Sequence, residues 1–162
     1  EMYDIYQHLA ECCVAQEQYG LATDYYERSV KCASHSAECW LGLACCCTST
    51  NEDERAEEAF LKAIEMEPTM SNAYVTYALF LVEQGRERDA LDLIYETRKK
   101  YFDPALAYGS VAVNLVCNRR RTALMHLSEA LNEFYDDHRF LLEWCPELVE
   151  DEEVSAMLQL YK

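Results

Sequence analysis

Four aromatic residues, Tyr6, Trp40, Tyr74 and Tyr108, follow one another at steps of 34 residues. The same step joins Leu9, Leu43, Tyr77 and Val111, then Ala10, Ala44, Ala78 and Ala112, then Cys13, Cys47, Leu81 and Leu115. A second set recurs farther along each unit: Ala22, Ala56 and Ala90; Tyr26, Phe60 and Ile94; Ser29, Ala63 and Thr97. In the last unit the counterparts Ala123, Leu127 and Ala130 come one residue early, which predicts a shorter turn there. A period of this kind restricts the chain to architectures in which each repeat is one supersecondary unit.

The offsets within a unit are helical. The aromatic, Leu, Ala and second apolar columns stand at i, i+3, i+4 and i+7, one face of an α-helix, and the later columns form the face of a second helix. Between them lie the turn signals Thr48-Ser49-Thr50-Asn51 and Gly85. Pro68 and Pro104 are expected to mark unit ends, where a helix cannot continue. Each unit therefore reads as a helical hairpin whose small residues admit large ones from a neighbour. One hairpin cannot bury its own apolar face, so the hairpins must share a core by stacking.

These columns resemble the tetratricopeptide repeat family. The second unit carries the pattern most fully, with Trp40, Leu43, Ala44, Ala56, Phe60, Ala63 and Pro68, and Cys47 where the family usually has Tyr. The third keeps Tyr74, Ala78, Gly85 and Ala90, whereas Glu17 and Arg119 replace the usual turn glycine in the first and fourth. The resemblance implies an all-α fold, an α-solenoid of stacked antiparallel helix hairpins wound as a right-handed superhelix. Four hairpins are expected at about residues 3–36, 37–70, 71–104 and 105–137. Residues 138–162 break the period and are read as C-terminal capping helices, with a stripe of Val154, Met157, Leu158 and Tyr161 behind the acidic turn Asp151-Glu152-Glu153. The rival expectation is that this last helix lies in the array's own groove.

Composition narrows the function. Only 4 glycines and 3 prolines are present, too few for the turns of an all-β fold. A net charge of −16 disfavours nucleic acid and membrane surfaces as partners. Against that acidic background Arg119-Arg120-Arg121 forms a basic knot. No stretch reaches the ~20 apolar residues of a membrane span. Nine cysteines, an odd number with several adjacent, suit a reducing cytoplasm better than a disulfide framework. Because Glu1 precedes Met2 and the period begins at once, a fragment or processed chain is expected.

Cys45, Cys46 and Cys47 fan ~100° apart around one helix and cannot close a tetrahedron about one metal. Cys47 falls in the core column, and cysteine there is a compact apolar filler. Two helical-spacing pairs, His8 with Cys12 and His35 with Cys39, are the one arrangement that could hold zinc across neighbouring hairpins, but the cysteines are read as packing, with Cys45 a groove candidate. No metal or cofactor is expected. Phosphate-cradling glycine loops, nucleophile elbows and HExxH pairs are missing from the sequence, so no enzyme is expected.

Binding is the remaining expectation. Residues turned ~80–180° from the packing face of each first helix should line an inner surface. These are Asp4, Gln7, Glu11 and Val14; Glu38, Leu41, Cys45 and Thr48; Asn72, Val75, Leu79 and Val82; and Leu106, Gly109, Val113 and Val116. Some tetratricopeptide proteins clamp a peptide's C-terminal carboxylate with Lys, Arg and Asn at such positions, but this chain offers only Asn72 there. Leu41, Val75, Leu79, Val82, Val113 and Val116 make the surface apolar, and Asp4, Glu11 and Glu38 make its beginning acidic. The expected partner is another protein or peptide segment, apolar or amphipathic with a basic flank, bound by a non-enzymatic scaffold or adaptor. The alternative is a self-associating scaffold, a homodimer or a chain folded on its own C-terminal helix.

Overall fold

A computed structural model describes residues 2–32 and 36–162. Among them the backbone is helical and contains no strand. The chain divides into two compact units, residues 1–73 and 74–162.

The first unit is built from α1 (Met2–Ala15), α2 (Tyr19–Cys32), α3 (Ala37–Ser49) and α4 (Asp53–Met66). Here α1 packs on α2, α2 on α3 and α3 on α4, so each helix pairs with its successor. Ala10, Ala22, Ala44, Ala56 and Ala63 are fully buried, as the small columns require. Gly42 belongs to the same logic: a Cβ there would lie 2.4 Å from Cζ of Tyr26, so the ring of α2 occupies the space a side chain would need. Ser36 caps α3 by accepting from the Cys39 backbone N–H at 3.3 Å.

The helix α5 (Ser71–Glu83) is followed by α6 (Glu87–Lys100), α7 (Pro104–Val116) and α8 (Arg120–Phe134). In the second unit α6 packs on α7 and α7 on α8. Pro104 differs from its expected role: it opens α7 instead of ending a unit. Its missing N–H costs nothing in a first turn, and Asp103 caps that turn by accepting from the Leu106 N–H at 2.9 Å.

One turn design recurs four times. Glu17, Asn51, Gly85 and Asn118 all have positive φ, between 57° and 74°. At each, the next residue's N–H reaches back to a carbonyl five residues earlier: Gln18 to Cys13, Glu52 to Cys47, Arg86 to Leu81 and Arg119 to Asn114, at 2.8–2.9 Å. This is the Schellman arrangement, which satisfies the orphan carbonyls of the first helix. The fourth turn comes one residue early, so Asn118 and not Arg119 stands where the family has glycine. Asn tolerates the left-handed region through its short polar side chain.

The C-terminal stretch adds α9 (Arg139–Trp144) and α10 (Glu152–Leu160), joined by a short 3-10 helix, Pro146–Glu150. Leu141, Cys145, Leu148 and Val154 share one core with Tyr108, Val111, Ala112, Leu127 and Leu131. The terminal helices therefore pack against α7 and α8. Tyr108 closes this core, with its phenol donating to the Phe134 carbonyl at 2.7 Å. Asp151 caps α10 by accepting from the Val154 N–H and is gripped by Arg120, whose guanidinium also reaches Glu153, each ion pair at 2.9 Å.

Candidate peptide-binding surfaces

On the first unit, the expected inner residues divide by exposure. Glu11, Glu38, Cys45 and Asn72 are exposed, and Asp4, Gln7 and Leu41 are half-buried. Gln7 is engaged inside the fold. Its Oε1 accepts from the Cys39 thiol at 3.3 Å, and its Nε2 donates to Glu11 at 3.1 Å. Cys39 lies 3.0 Å from the Ser29 hydroxyl, which donates to the Tyr3 carbonyl at 3.1 Å. This polar chain ties α1, α2 and α3 together and fixes the Glu11 carboxylate, which His8 also contacts at 3.2 Å.

On the second unit, the expected open wall is partly closed. Val75 and Val113 have no exposed surface, and Leu106 and Gly109 are buried too. The reason at Val75 is its repeat equivalent: Gly109 stands 34 residues later, and Val75 fills the hollow left by its absent side chain. What remains accessible is Leu79 and Val82, half-buried on α5, and Val116, 45% exposed on α7.

The faces made by second helices carry two clefts at equivalent places, and the sequence reading did not include them. In the first unit a cleft of about 300 Å³ between α2 and α4 is lined by Glu27, Lys31, Trp40, Arg55 and Glu58, two carboxylates against two cations. Arg55 bridges Glu27 and Glu52 across it. In the second unit a cleft of about 440 Å³ between α6 and α8 is lined by Arg98, Lys99, Arg119, His126 and Glu129, with Asn114 beneath. Here three cations face one carboxylate. The basic knot was the signal in the sequence, but nothing there showed that Arg119 turns toward α6 while Arg120 turns toward α10.

The cysteines are all free thiols. Cys13, Cys39, Cys46, Cys47, Cys117 and Cys145 are buried, as packing residues should be, whereas Cys12, Cys32 and Cys45 are exposed and packing does not account for them. Burial pushes the Cys46 thiol up to about 12 and the Cys145 thiol to about 11. Such thiols are protonated at neutral pH and unreactive. Among the described residues no group of three or more His, Cys, Asp or Glu could hold a metal ion. His35 lies outside those residues. No helix among them is long and apolar enough to cross a membrane.

Residues 6–139 match the model of the family described as the Cilia and flagella-associated protein 70 middle TPR-like domain. The chain belongs to that family. Other relatives place this TPR-like domain more broadly. BBSome complex member BBS4 of Bos taurus is 26% identical over 87 residues, which are 54% of this chain and 17% of that protein. Among solved structures, pilF of Pseudomonas aeruginosa is similar over the whole chain and 77% of its own, with a TM-score of 0.70 at 17% identity. The Sgt2 TPR domain from Aspergillus fumigatus matches 74% of this chain and 82% of its own, with a TM-score of 0.61 at 16% identity. YrrB, a TPR protein with an unusual peptide-binding site, matches 96% and 82%, with a TM-score of 0.57 at 14% identity. At these identities the structural likeness establishes the fold: the TPR-like domain is an α-solenoid of helical hairpins, the architecture of protein–protein interaction scaffolds.

Proposed function

We propose that this TPR-like domain is a non-enzymatic scaffold that binds an apolar or amphipathic peptide segment carrying a basic flank. Leu79, Val82 and Val116 take apolar side chains on the second unit, and Leu41 and Cys45 do so on the first. Asp4, Glu11 and Glu38 receive Lys or Arg. The observation that carries the reading lies within the first unit, where half-buried Leu41 and exposed Cys45 accompany the exposed carboxylates of Glu11 and Glu38 on first helices; within the second unit, Leu79, Val82 and Val116 keep accessible apolar surface. Apolar contact supplies affinity at roughly 25 cal/mol per Å² before ordering costs, and the carboxylates orient the segment. Val75, Val113 and Gln7 act behind that surface by holding the helices together. The family description and the BBSome relative support a partner drawn from a multiprotein assembly of cilia or flagella.

Selection from a random peptide library tests the proposal. Enriched sequences should combine Leu, Ile or Val with Lys or Arg, and they should lose binding to Leu79→Glu/Val116→Glu. Both positions are accessible, so the variant should fold. Undiminished binding by the variant, or a preponderance of acidic sequences among those the variant no longer binds, would contradict the reading.

A further inference from the structure

The α6–α8 cleft of the second unit differs from the surface just described in face, charge and chemistry. It is made by second helices, and its lining is net basic in a chain of net charge −16. Arg98 is already satisfied: it donates to the Ser110 hydroxyl at 2.9 Å and to Glu129 at 2.7 Å. Lys99 pairs with Glu96 at 3.0 Å along the helix. Arg119 has no carboxylate partner among the described residues. His126 lies beside it with a buried ring nitrogen, Nδ1, that has no hydrogen-bond partner. A buried polar atom without a partner is uncommon, and it costs free energy until a ligand group meets it. In the equivalent cleft of the first unit Trp40 Nε1 is likewise buried without a partner, but Arg55 there is spanned by Glu27 and Glu52. In the second unit no internal carboxylate does the same for Arg119.

We infer that the α6–α8 cleft binds an acidic side chain of a partner peptide, its carboxylate received by Arg119 and the His126 ring and its apolar neighbour by Leu91 and Tyr95. A guanidinium matches a carboxylate as a planar fork, which makes such pairs specific as well as favourable. A cleft of about 440 Å³ has room for one or two side chains. A polyanion is a poor occupant, since the surrounding acidic surface repels extended runs of negative charge. The His126 ring also reports occupancy. Burial and the positive charges of Arg98 and Arg119 hold its pKa below the usual imidazole range, against the opposing pull of Glu129. An added carboxylate in the cleft therefore raises it.

The test is a titration of the whole chain with the peptide acetyl-Leu-Asp-Leu-Glu-Asp-Leu-amide, followed by NMR of the His126 ring. The matched control carries Asn and Gln in place of the acids, and inorganic phosphate is a third arm. The peptide should bind with a Kd below about 1 mM, shift the His126 ring and raise its pKa. Arg119→Glu and Arg119→Gln should each weaken binding by about tenfold or more, while Lys62→Gln on α4, outside both surfaces, leaves it unchanged. An unmoved His126 ring would overturn the inference. So would equal binding of the uncharged control or undiminished affinity of both Arg119 variants. Phosphate producing the same shifts at the same concentration would also overturn it, by showing a simple anion site.

Discussion

A Cβ placed on Gly109 would lie 2.3 Å from Cγ2 of Val75, although the two residues occupy the same column of successive repeats. The first helices α5 and α7 thus approach through a missing side chain, and Val75 becomes core. Gly109→Ala should destabilise the fold by about 1–3 kcal/mol, because the clash is with a branched side chain stiff at χ1. Val75→Ala in the same chain should recover part of that loss. Urea denaturation of the two single variants and the double variant measures the coupling; strictly additive losses would mean the contact is not made.

Glu17 holds a left-handed conformation, φ 58°, at a turn where its repeat equivalents are Asn51 and Gly85. A side chain there costs about 1–2 kcal/mol, of which the greater flexibility of unfolded glycine takes back some. Glu17→Gly should therefore stabilise the protein by roughly 0.5–1 kcal/mol and raise Tm by ~1–4 °C. The same change at Asn118 should do less, since Asn already tolerates the region. Thermal unfolding of both variants makes the comparison.

Acid should loosen the C-terminal helix before the repeats. The Arg120 guanidinium, assisted by the Val154 N–H, holds the Asp151 carboxyl below the usual carboxylate range. A depressed folded-state pKa contributes stability above the unfolded value, near pH 4, that is lost as pH falls through the folded value. Protection of the α10 amides relative to their intrinsic exchange rate should fall below about pH 4. In Arg120→Ala that protection should already be lower at pH 7 and respond less to acid. Acid-insensitive protection in the unaltered chain would contradict this.

Thiol labelling separates packing from exposure. Cys12 and Cys32 should react first with a thiol reagent in the folded chain. Cys45 should follow more slowly, because crowding around its sulfur pushes the thiol up to about 11 although the side chain is exposed. Cys46 and Cys145 should react only on unfolding.

The hairpins were legible because their cause is periodic. Ala10 and Ala44 on first helices, and Ala22 and Ala56 on second helices, recur as small residues where helices cross, and every one is fully buried. The surface was legible only in part. Helical spacing places Val75 and Val116 alike on the side away from the packing face. It does not say that Gly109 receives one while the other stays 45% exposed. Proline suits either side of a helix boundary, so the sequence does not show that Pro104 begins α7 instead of ending the unit before it. The knot at 119–121 was visible as charge, but its division between Arg119 at a cleft and Arg120 on Asp151 depends on a turn one residue shorter than its repeats.

Charge reversal shows whether first-helix carboxylates select a basic segment. A library-selected peptide should be titrated against the unaltered chain, Glu38→Lys and Glu11→Lys/Glu38→Lys, and again with its Lys or Arg replaced by Glu. The double variant should lose about tenfold or more in affinity for the basic peptide and regain it for the acidic one, with Glu38→Lys intermediate. Equal affinity of all three proteins for the basic peptide would contradict it.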